Sequence, residues 1–253
     1  MTRRGGVRGW YGRMIGAALG VTVLATGASV WAAQNGTGGG PSETKAPVSA
    51  VKPVAATIAH ASEAGPRGVN LTIDDGPDPR WTPQVLDVLE QYGAKATFCM
   101  VGPQAQAHPD LVKDVVKAGH RLCDHSVSHD TGMDKQSEAY QSQQILDAER
   151  MIIKASGGVR PMYYRAPGGA FTPYSRKLAA SHGMRPLGWN VDSKDFELPG
   201  TDAIVATVEE QLSNGPTILF HDAGGDRAQT VEALRRILPE LKEQGYTFGF
   251  PVR

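Results

Sequence analysis

The sequence lacks several features that would point to a specialised class of protein. Its 26 Lys and Arg residues balance its 26 Asp and Glu residues, so its net charge gives no indication of nucleic acid as a partner. Two cysteines in 253 residues are too few for a disulfide scaffold. The hydrophobic content of 40% is ordinary for a globular enzyme and is enough to build a sizeable core.

The one long apolar run lies near the N-terminus, over residues 14–33, and follows four arginines. It carries no charge, and its length is close to the roughly 20 residues that span a bilayer. Residues 1–33 are therefore predicted to be an export signal, cleaved after the small residues that end it, or an uncleaved membrane anchor. Either interpretation predicts an extracytoplasmic protein, secreted or anchored at the cell surface, with membrane contact only through this segment.

Residues 34–67 are rich in Gly, Pro, Ala, Ser and Thr and show no convincing periodicity, which predicts a flexible tether. The folded catalytic domain is then expected over residues 68–253. Cys99 and Cys123 each follow a short apolar run, and in an exported protein they form either a disulfide or two buried thiols.

Short apolar runs alternate with amphipathic runs through residues 68–253, which predicts about seven strand–helix units. Such alternation favours an α/β fold, a distorted (β/α) barrel of about seven parallel strands with outer helices. The predicted strands are 69–73, 96–101, 121–124, 163–165, 185–190, 217–220 and 247–250. The predicted helices are 83–92, 109–118, 138–156, 173–182, 203–213 and 228–244.

Polar residues follow the predicted strands at their C-terminal ends, the edge where α/β proteins build active sites. Asp74 and Asp75 end the first strand in the sequence Leu-Thr-Ile-Asp-Asp-Gly-Pro. An isolated pair of this kind is more often a loop-capping Asp with an exposed neighbour. The apolar strand before it favours a functional role, because carboxylates placed there are costly unless they are paired or bind a metal.

His125 and His129 lie four residues apart, so a helical start to their loop would direct both imidazoles the same way. Most such pairs are surface coincidences. With Asp75 they would form a common three-ligand set for a hydrolytic zinc ion with an open position. Asp124 and Asp130 flank the pair and could orient the rings as hydrogen-bond acceptors.

Three further groups could complete a hydrolytic site. Arg165 could be a surface charge, but it is better interpreted as an ion-pair partner that holds the leftover carboxylate, Asp74, through a bidentate contact. A glycine turn follows it and could offer a backbone N–H to an oxyanion. His221 could be a structural histidine or a general acid supported by Asp195.

Five ordered motifs in residues 68–253 resemble those of the polysaccharide deacetylases of carbohydrate esterase family 4. They stand here at residues 72–77, 125–129, 165–169, 192–196 and 219–221. Each motif is weak alone, but the ordered set is highly specific. There are three departures: Ile73 and Phe196 replace a usual Phe and Trp, and Gly168 replaces a usual aromatic residue.

The resemblance implies a distorted (β/α) barrel that removes acetyl groups from polysaccharides with one divalent cation, Zn²⁺ first and Co²⁺ or Mn²⁺ as alternatives. By motif position, Asp74 is the base, His221 the acid, and the Gly168 N–H the oxyanion donor. The implied metal ligands are Asp75, His125 and His129, while Arg165 positions the base and Asp195 tunes the acid.

The expected substrate is an N-acetylglucosamine polymer such as peptidoglycan or a chitin-like chain. Two alternatives stay open: the same chemistry on an O-acetylated xylan or a small amide, and a non-catalytic carbohydrate-binding protein. Trp81, Trp189, Phe171 and Phe196 are core residues or parts of a sugar-stacking wall.

Overall fold

A parallel β-sheet forms the centre of the computed structural model, which describes residues 51–253. Seven strands follow one another in the order β5-β4-β3-β2-β1-β7-β6, and an eighth, β8, pairs with the start of β1. All pairings between named strands are parallel, as the α/β fold class predicts. The strands are β1 (Gly68–Asp74), β2 (Ala96–Met100), β3 (Arg121–Asp124), β4 (Tyr163–Tyr164), β5 (Arg185–Pro186), β6 (Val191–Asp192), β7 (Thr217–His221) and β8 (Thr247–Phe248).

Within residues 51–253, seven α-helices connect the strands and cover the sheet. Six of them match the predicted helices to within two residues at each end, and α2 was not predicted. Their bounds are α1 (Thr82–Gln91), α2 (Gly102–Ala107), α3 (Pro109–Lys117), α4 (Glu138–Ala155), α5 (Pro173–Ser181), α6 (Thr201–Gln211) and α7 (Ala228–Glu243).

Local sequence explains where several helices begin and how they pack. Ser137 caps α4 by accepting a hydrogen bond from the Tyr140 N–H. Thr172 and Ser175 form a reciprocal capping box at the start of α5, with Pro173 in the first turn. All seven residues of β1 are buried, as expected for a central strand covered on both faces. The main core therefore lies between the central strands and the surrounding helices.

The predicted strand over residues 185–190 is wrong as a single element. The chain forms β5, leaves it, and starts β6 at the opposite end of the sheet. Pro186 has no N–H to continue a ladder, and Gly188 follows two residues later. Within residues 51–253, β5 and β6 do not pair with each other, so the barrel is distorted and is not closed by strand pairing.

The predicted tether ends too late. Residues 51–67 belong to the folded unit: Ala59 is buried and forms a parallel bridge with Leu187, and Ser62 forms an antiparallel bridge with Pro251. Low complexity misled the prediction because these contacts are made by the backbone, which needs no apolar periodicity. The predicted signal or anchor, residues 1–33, and the first part of the tether lie outside the described residues. None of the helices within 51–253 has the length and apolarity needed to cross a membrane.

The two cysteines form a disulfide between neighbouring strands. Cys99 in β2 and Cys123 in β3 are paired in register and both are completely buried. The structure therefore has the disulfide and not two buried thiols. It joins the strand beside Asp74 to the strand that ends before His125.

Candidate active site

Several strands deliver polar side chains to one cleft at their C-terminal edge. Asp74 ends β1, His125 follows β3, Arg165 follows β4, and His221 ends β7. These four side chains line a cleft of about 380 Å³. Because the strands are parallel and adjacent, residues far apart in sequence converge there. Further lining residues include His129, Thr131, Gly168, Trp189, Asp192, Phe196 and Leu219.

The three predicted metal ligands converge on one point. The Nε2 atoms of His129 and His125 lie 3.1 Å and 3.6 Å from the Asp75 Oδ1 atom. Taken together, one donor atom from each residue lies within 4.8 Å of the others. Zinc bonds of about 2.0–2.2 Å to nitrogen and oxygen produce ligand separations of this size. The three side chains can therefore share a single ion.

The chemistry of these donors also fits a metal. The Asp75 Oδ1 atom is buried with no hydrogen-bond partner meeting ordinary criteria among residues 51–253, although both imidazoles face it. The His125 Nδ1 atom lies 2.8 Å from the Arg165 carbonyl oxygen, to which its N–H would donate a hydrogen bond. That bond leaves the His125 Nε2 atom with its lone pair directed at the site, as metal-binding histidines require.

The carboxylate and the two imidazoles of this cluster influence one another's pKa values. Burial by itself would raise the pKa of Asp75, but the His129 imidazole, 3.1 Å away, and the other nearby imidazoles outweigh burial and lower that pKa to about 2. The same close contact with the Asp75 carboxylate raises the pKa of His129. Burial lowers the pKa of His125, which favours the neutral ring that a metal binds.

The ligands lie on strained loops rather than on a helix. Asp75 and His129 have φ angles of 79° and 52°, in the left-handed region that side chains rarely adopt. Ser126, also at positive φ, lies between the two histidines, so the predicted helical start of this loop is wrong. Each such residue costs on the order of 1–3 kcal/mol, and strain of this kind clusters at functional sites.

Arg165 holds the Asp74 carboxylate in place. Both side chains are almost fully buried, and the Arg165 Nη1 atom lies 2.6 Å from the Asp74 Oδ1 atom. The predicted bidentate contact is wrong, because only this nitrogen reaches the carboxylate. The other two nitrogens donate to backbone carbonyls, and Nη1 also donates to the Thr72 hydroxyl. These bonds fix the guanidinium in one orientation. Asp74 Oδ2 is then left facing His125, 3.4 Å from its Nε2 atom.

The buried Asp195 carboxylate holds His221 in place. The His221 Nδ1 atom lies 2.7 Å from one Asp195 oxygen, and the other oxygen accepts hydrogen bonds from the His221 N–H and the Thr230 hydroxyl. Burial disfavours the charged ring, but the hydrogen bond and charge of Asp195, with smaller effects of Asp74 and Asp75, raise the pKa of His221. A histidine whose protonated form is favoured in this way suits a general acid.

Gly168 lies on the cleft wall with a φ of 59°. A Cβ atom there would lie 3.2 Å from the Thr131 Cβ atom, so the wall at this point is formed by Thr131 and glycine backbone. No group within residues 51–253 accepts a hydrogen bond from the Gly168 N–H. That donor is free for a ligand, as an oxyanion site needs.

Asp124 and Asp130 do not contact the imidazoles, so this prediction is wrong. Asp124 Oδ1 accepts a hydrogen bond from the Ser126 N–H, and Asp130 Oδ1 accepts one from the Gly132 N–H. These carboxyls shape the loop and leave the rings to other partners. The acceptor for His125 is instead a backbone carbonyl, which no sequence motif identifies.

Asp222 is a buried carboxyl beside the site that sequence reasoning missed. It receives a hydrogen bond of 2.5 Å from the Thr82 hydroxyl, and its backbone N–H donates to the Asp74 carbonyl. It packs so closely on Gly76 that a Cβ atom there would overlap its carboxyl group. An acidic residue directly after an apolar strand was the available signal.

The four aromatic candidates divide between core and cleft. Trp81 is buried in the core, and Phe171 packs edge-on against Tyr164. Trp189 and Phe196 line the cleft. Phe196 is 43% exposed, and its ring centroid lies 5.3 Å from that of His221, so it presents an apolar surface beside the predicted acid.

The sequence matches the family model for polysaccharide deacetylase over residues 61–187. It is 42% identical to a peptidoglycan-N-acetylglucosamine deacetylase of Bacillus cereus over 182 residues, 71% of this chain and 84% of that protein. It is 34% identical to a chitooligosaccharide deacetylase of Bradyrhizobium over 194 residues, 72% of this chain and 88% of that protein.

Solved structures show the same fold. A peptidoglycan N-acetylglucosamine deacetylase in complex with 4-naphthalen-1-yl-N-oxidanyl-benzamide superposes with a TM-score of 0.71 at 32% identity, covering 76% of this chain and 90% of that one. A CE4 family pseudoenzyme from Bacillus anthracis superposes equally well, with a TM-score of 0.71 at 26% identity, covering 78% of this chain and 68% of that one. Fold alone therefore does not distinguish active from inactive relatives, and the groups in the cleft must do so.

Proposed function

The chain belongs to the polysaccharide deacetylase family, and from that premise we propose that it removes N-acetyl groups from an N-acetylglucosamine polymer, peptidoglycan or a chitin-like chain. The similar peptidoglycan and chitooligosaccharide deacetylases support this substrate class. The products would be acetate and a polymer with free amines.

One observation carries the proposal: every group that metal-assisted amide hydrolysis requires lies around a single cleft. An ion site, a carboxylate base, a histidine acid and a free backbone donor occur together there. Burying an Arg–Asp pair costs free energy. Sugar binding alone does not require such a pair beside an ion site, so the pair favours a catalytic role.

A divalent ion bound by Asp75, His125 and His129 would supply Lewis acidity to the acetyl carbonyl and lower the pKa of a water molecule. Asp74 would accept the proton of the attacking water, with its carboxylate held by Arg165. The Gly168 N–H would donate to the oxygen that becomes negative as the hydroxyl adds to the carbonyl carbon. His221 would then protonate the nitrogen as the C–N bond breaks, so the sugar leaves as an amine.

We further propose that the ion is Zn²⁺, with Co²⁺ or Mn²⁺ as alternatives. One carboxylate and two imidazoles form a hard-to-borderline donor set that all three ions accept. The donor atoms of these three residues lie close enough together to suit a small ion such as Zn²⁺.

We propose an extracytoplasmic location, secreted or anchored through the N-terminal segment. The arginine-flanked apolar run over residues 14–33 supports export. The disulfide between Cys99 and Cys123 supports an oxidising compartment. A polymer outside the cytoplasm would be accessible there.

Acetate release from a panel of substrates tests the proposal. The panel contains N-acetylglucosamine oligomers, peptidoglycan, acetylated xylan and a small acetamide, each with and without a chelator. The proposal expects release from the first two, loss with chelator, and recovery when Zn²⁺ is added back. Preferential release from xylan or the small amide would establish the O-deacetylase or small-amide alternative. Tight binding of oligomers without any release would establish the non-catalytic one.

A further inference from the structure

Residues 57–62 run from the end of β5 to the start of β7, on the side where β5 and β6 leave the sheet open, and we call this segment the N-terminal strap. Ala59 within it forms a parallel bridge with Leu187, directly after β5. Further along the strap, the His60 carbonyl accepts a hydrogen bond of 2.6 Å from the Thr217 hydroxyl at the start of β7. The strap thus connects the two sides of a barrel that its strands do not close.

The strap holds residues 186–188 through backbone hydrogen bonds. The Ala59 N–H donates to the Pro186 carbonyl at 2.8 Å, and the Gly188 N–H donates to the Ala59 carbonyl at 3.0 Å. On the other side, the Leu187 N–H donates to the Tyr164 carbonyl at 2.9 Å. This short segment is therefore fixed between β4 and the strap, although only its first residue, Pro186, belongs to a strand.

The carbonyls of the same segment orient Arg165. The Arg165 Nε atom donates to the Leu187 carbonyl at 3.2 Å, and its Nη2 atom donates to the Gly188 carbonyl at 2.9 Å. Its remaining nitrogen reaches Asp74. Because a guanidinium is planar and rigid, a shift of the two carbonyls would turn the nitrogen that contacts the base.

The strap packs so closely on Gly188 that no side chain fits there, and a substitution can test this contact. Side-chain atoms of His60 and Ile58 fill the space where a Cβ atom on Gly188 would lie. A methyl group there would overlap the His60 ring and the Ile58 side chain, so it would displace these strap side chains from residues 186–188. His60 had no role in the sequence interpretation, which placed it in the tether.

We infer that the N-terminal strap is a positioning element for the catalytic base, acting through residues 186–188 and Arg165 on Asp74. The inference rests on the proposed function, since it assigns the strap a part in the same hydrolysis. It assigns a functional role to residues that precede the five motifs in the sequence. The strap touches no reacting atom, and its effect would come only from how it aims Arg165.

Two variants of the full chain test the inference. Ala59→Pro removes the N–H that holds Pro186, and Gly188→Ala inserts the methyl group. Each is expected to lower kcat on N-acetylglucosamine oligomers at least tenfold while KM changes less than threefold and one bound Zn²⁺ per chain is retained. His60→Ala should restore at least half of the kcat lost in Gly188→Ala, because it opens the space that the methyl group needs.

Glu63→Gln is the matched control. Glu63 anchors the same part of the chain through an ion pair with Arg121, with nitrogen and oxygen 2.9 Å apart, at a site that does not involve residues 186–188. It should keep kcat within twofold of wild type even where its melting temperature falls as far as that of Gly188→Ala. Equal losses of kcat in Glu63→Gln and Gly188→Ala would show a general stability effect and overturn the inference.

A double-mutant cycle separates positioning from stability. In an Arg165→Lys background the two carbonyls no longer orient a guanidinium, so Gly188→Ala should change kcat less than twofold. If the two substitutions multiply instead, the strap does not act through Arg165 and the inference fails. If wild-type protein releases no acetate from the oligomers, the proposed function fails first, before any strap variant is compared. If wild type is active and both strap variants match it, only the inference fails.

Discussion

Asp74 and Asp75 are neighbours in the chain but have different surroundings. Asp74 meets a guanidinium at 2.6 Å, whereas Asp75 meets two imidazoles and has a buried oxygen that meets no hydrogen-bond criterion among the described residues. The turn to a positive φ at Asp75 separates the two side chains. One carboxylate is thus suited to hold an ion and the other to accept a proton.

Replacing Asp74 by Asn tests this division. The amide keeps the size of the side chain but accepts no proton from water, so kcat should fall by about 10²–10⁴-fold. Zinc content, measured by atomic absorption, should stay at one ion per chain, because Asp74 is not among the proposed ligands. Near-normal turnover in the zinc-loaded variant would remove Asp74 as the base.

Asp195 should set the alkaline limit of activity. It raises the pKa of His221, so the acid keeps its proton to higher pH than a free histidine. With Asp195→Asn the pKa of His221 should fall, and the alkaline limb of the kcat/KM profile should move to lower pH. Thr230→Val, which removes one hydrogen bond to Asp195 without removing its charge, should move that limb less. An unchanged limb in Asp195→Asn would exclude His221 as the acid that the limb reports.

Asp222 should make the metal-free protein less stable as pH rises. Burial raises the pKa of Asp222 to about 7. The negative charges of Asp75 and Asp74 act in the same direction, and the hydrogen bond from Thr82 opposes them. In the unfolded chain an Asp loses its proton near pH 4. Between these values the folded state binds more protons, so the free energy of unfolding falls with rising pH, on the order of 1.4 kcal/mol per pH unit from this group.

Denaturant unfolding of the chelated protein at pH 5 and pH 7.5 measures this effect. Asp222→Asn removes the titrating group and keeps a hydrogen-bond acceptor for Thr82, so its stability should fall less over this interval than that of the wild type. Equal falls in the two proteins would show that Asp222 does not titrate there.

At the scale of elements, the sequence predicted the regular parts well and the irregular parts poorly. Helices such as α4 and α5 have strong periodicity and clear caps, and their bounds agree with the structure. Helix α2 has only six residues and includes Pro103, so it had too little periodic signal. The strap escaped prediction because its hydrogen bonds are made by the backbone and its composition resembles a linker.

The same limit applies to the candidate site. Sequence placed the carboxylates, histidines and Arg165 at strand ends, and the structure brings them to one cleft. It could not show that the partners of His125 and Arg165 are largely backbone carbonyls, since these depend on tertiary contacts. Nor could it show the burial of Asp222 against Gly76, which depends on how two loops pack.

The disulfide between β2 and β3 should stabilise the fold appreciably. Its cysteines are 24 residues apart, and closing a loop of this size contributes about 3 kcal/mol in the chain-entropy model. Replacing both Cys99 and Cys123 by Ala should lower the free energy of unfolding by about 2–4 kcal/mol in denaturant titrations. Reductant should destabilise the wild type and leave the variant unchanged. Equal stability of oxidised wild type and variant would contradict this role.

At the scale of the whole molecule, the parallel sheet makes the site possible. Strands β1, β3, β4 and β7 end at one edge, so residues up to 147 positions apart in the chain meet there, such as Asp74 and His221. The strap fills the place where the barrel is open. Fold and family are confirmed by the relatives, while activity depends on whether this edge binds an ion.

Anomalous diffraction at the zinc edge, from crystals of the active zinc-loaded protein, tests that dependence most directly. We expect one strong peak about 2.0–2.2 Å from the Nε2 atoms of His125 and His129 and from a carboxylate oxygen of Asp75, with an open side toward Asp74. A fully active crystal with no peak at these three side chains, or with its zinc bound elsewhere, would contradict the proposed site.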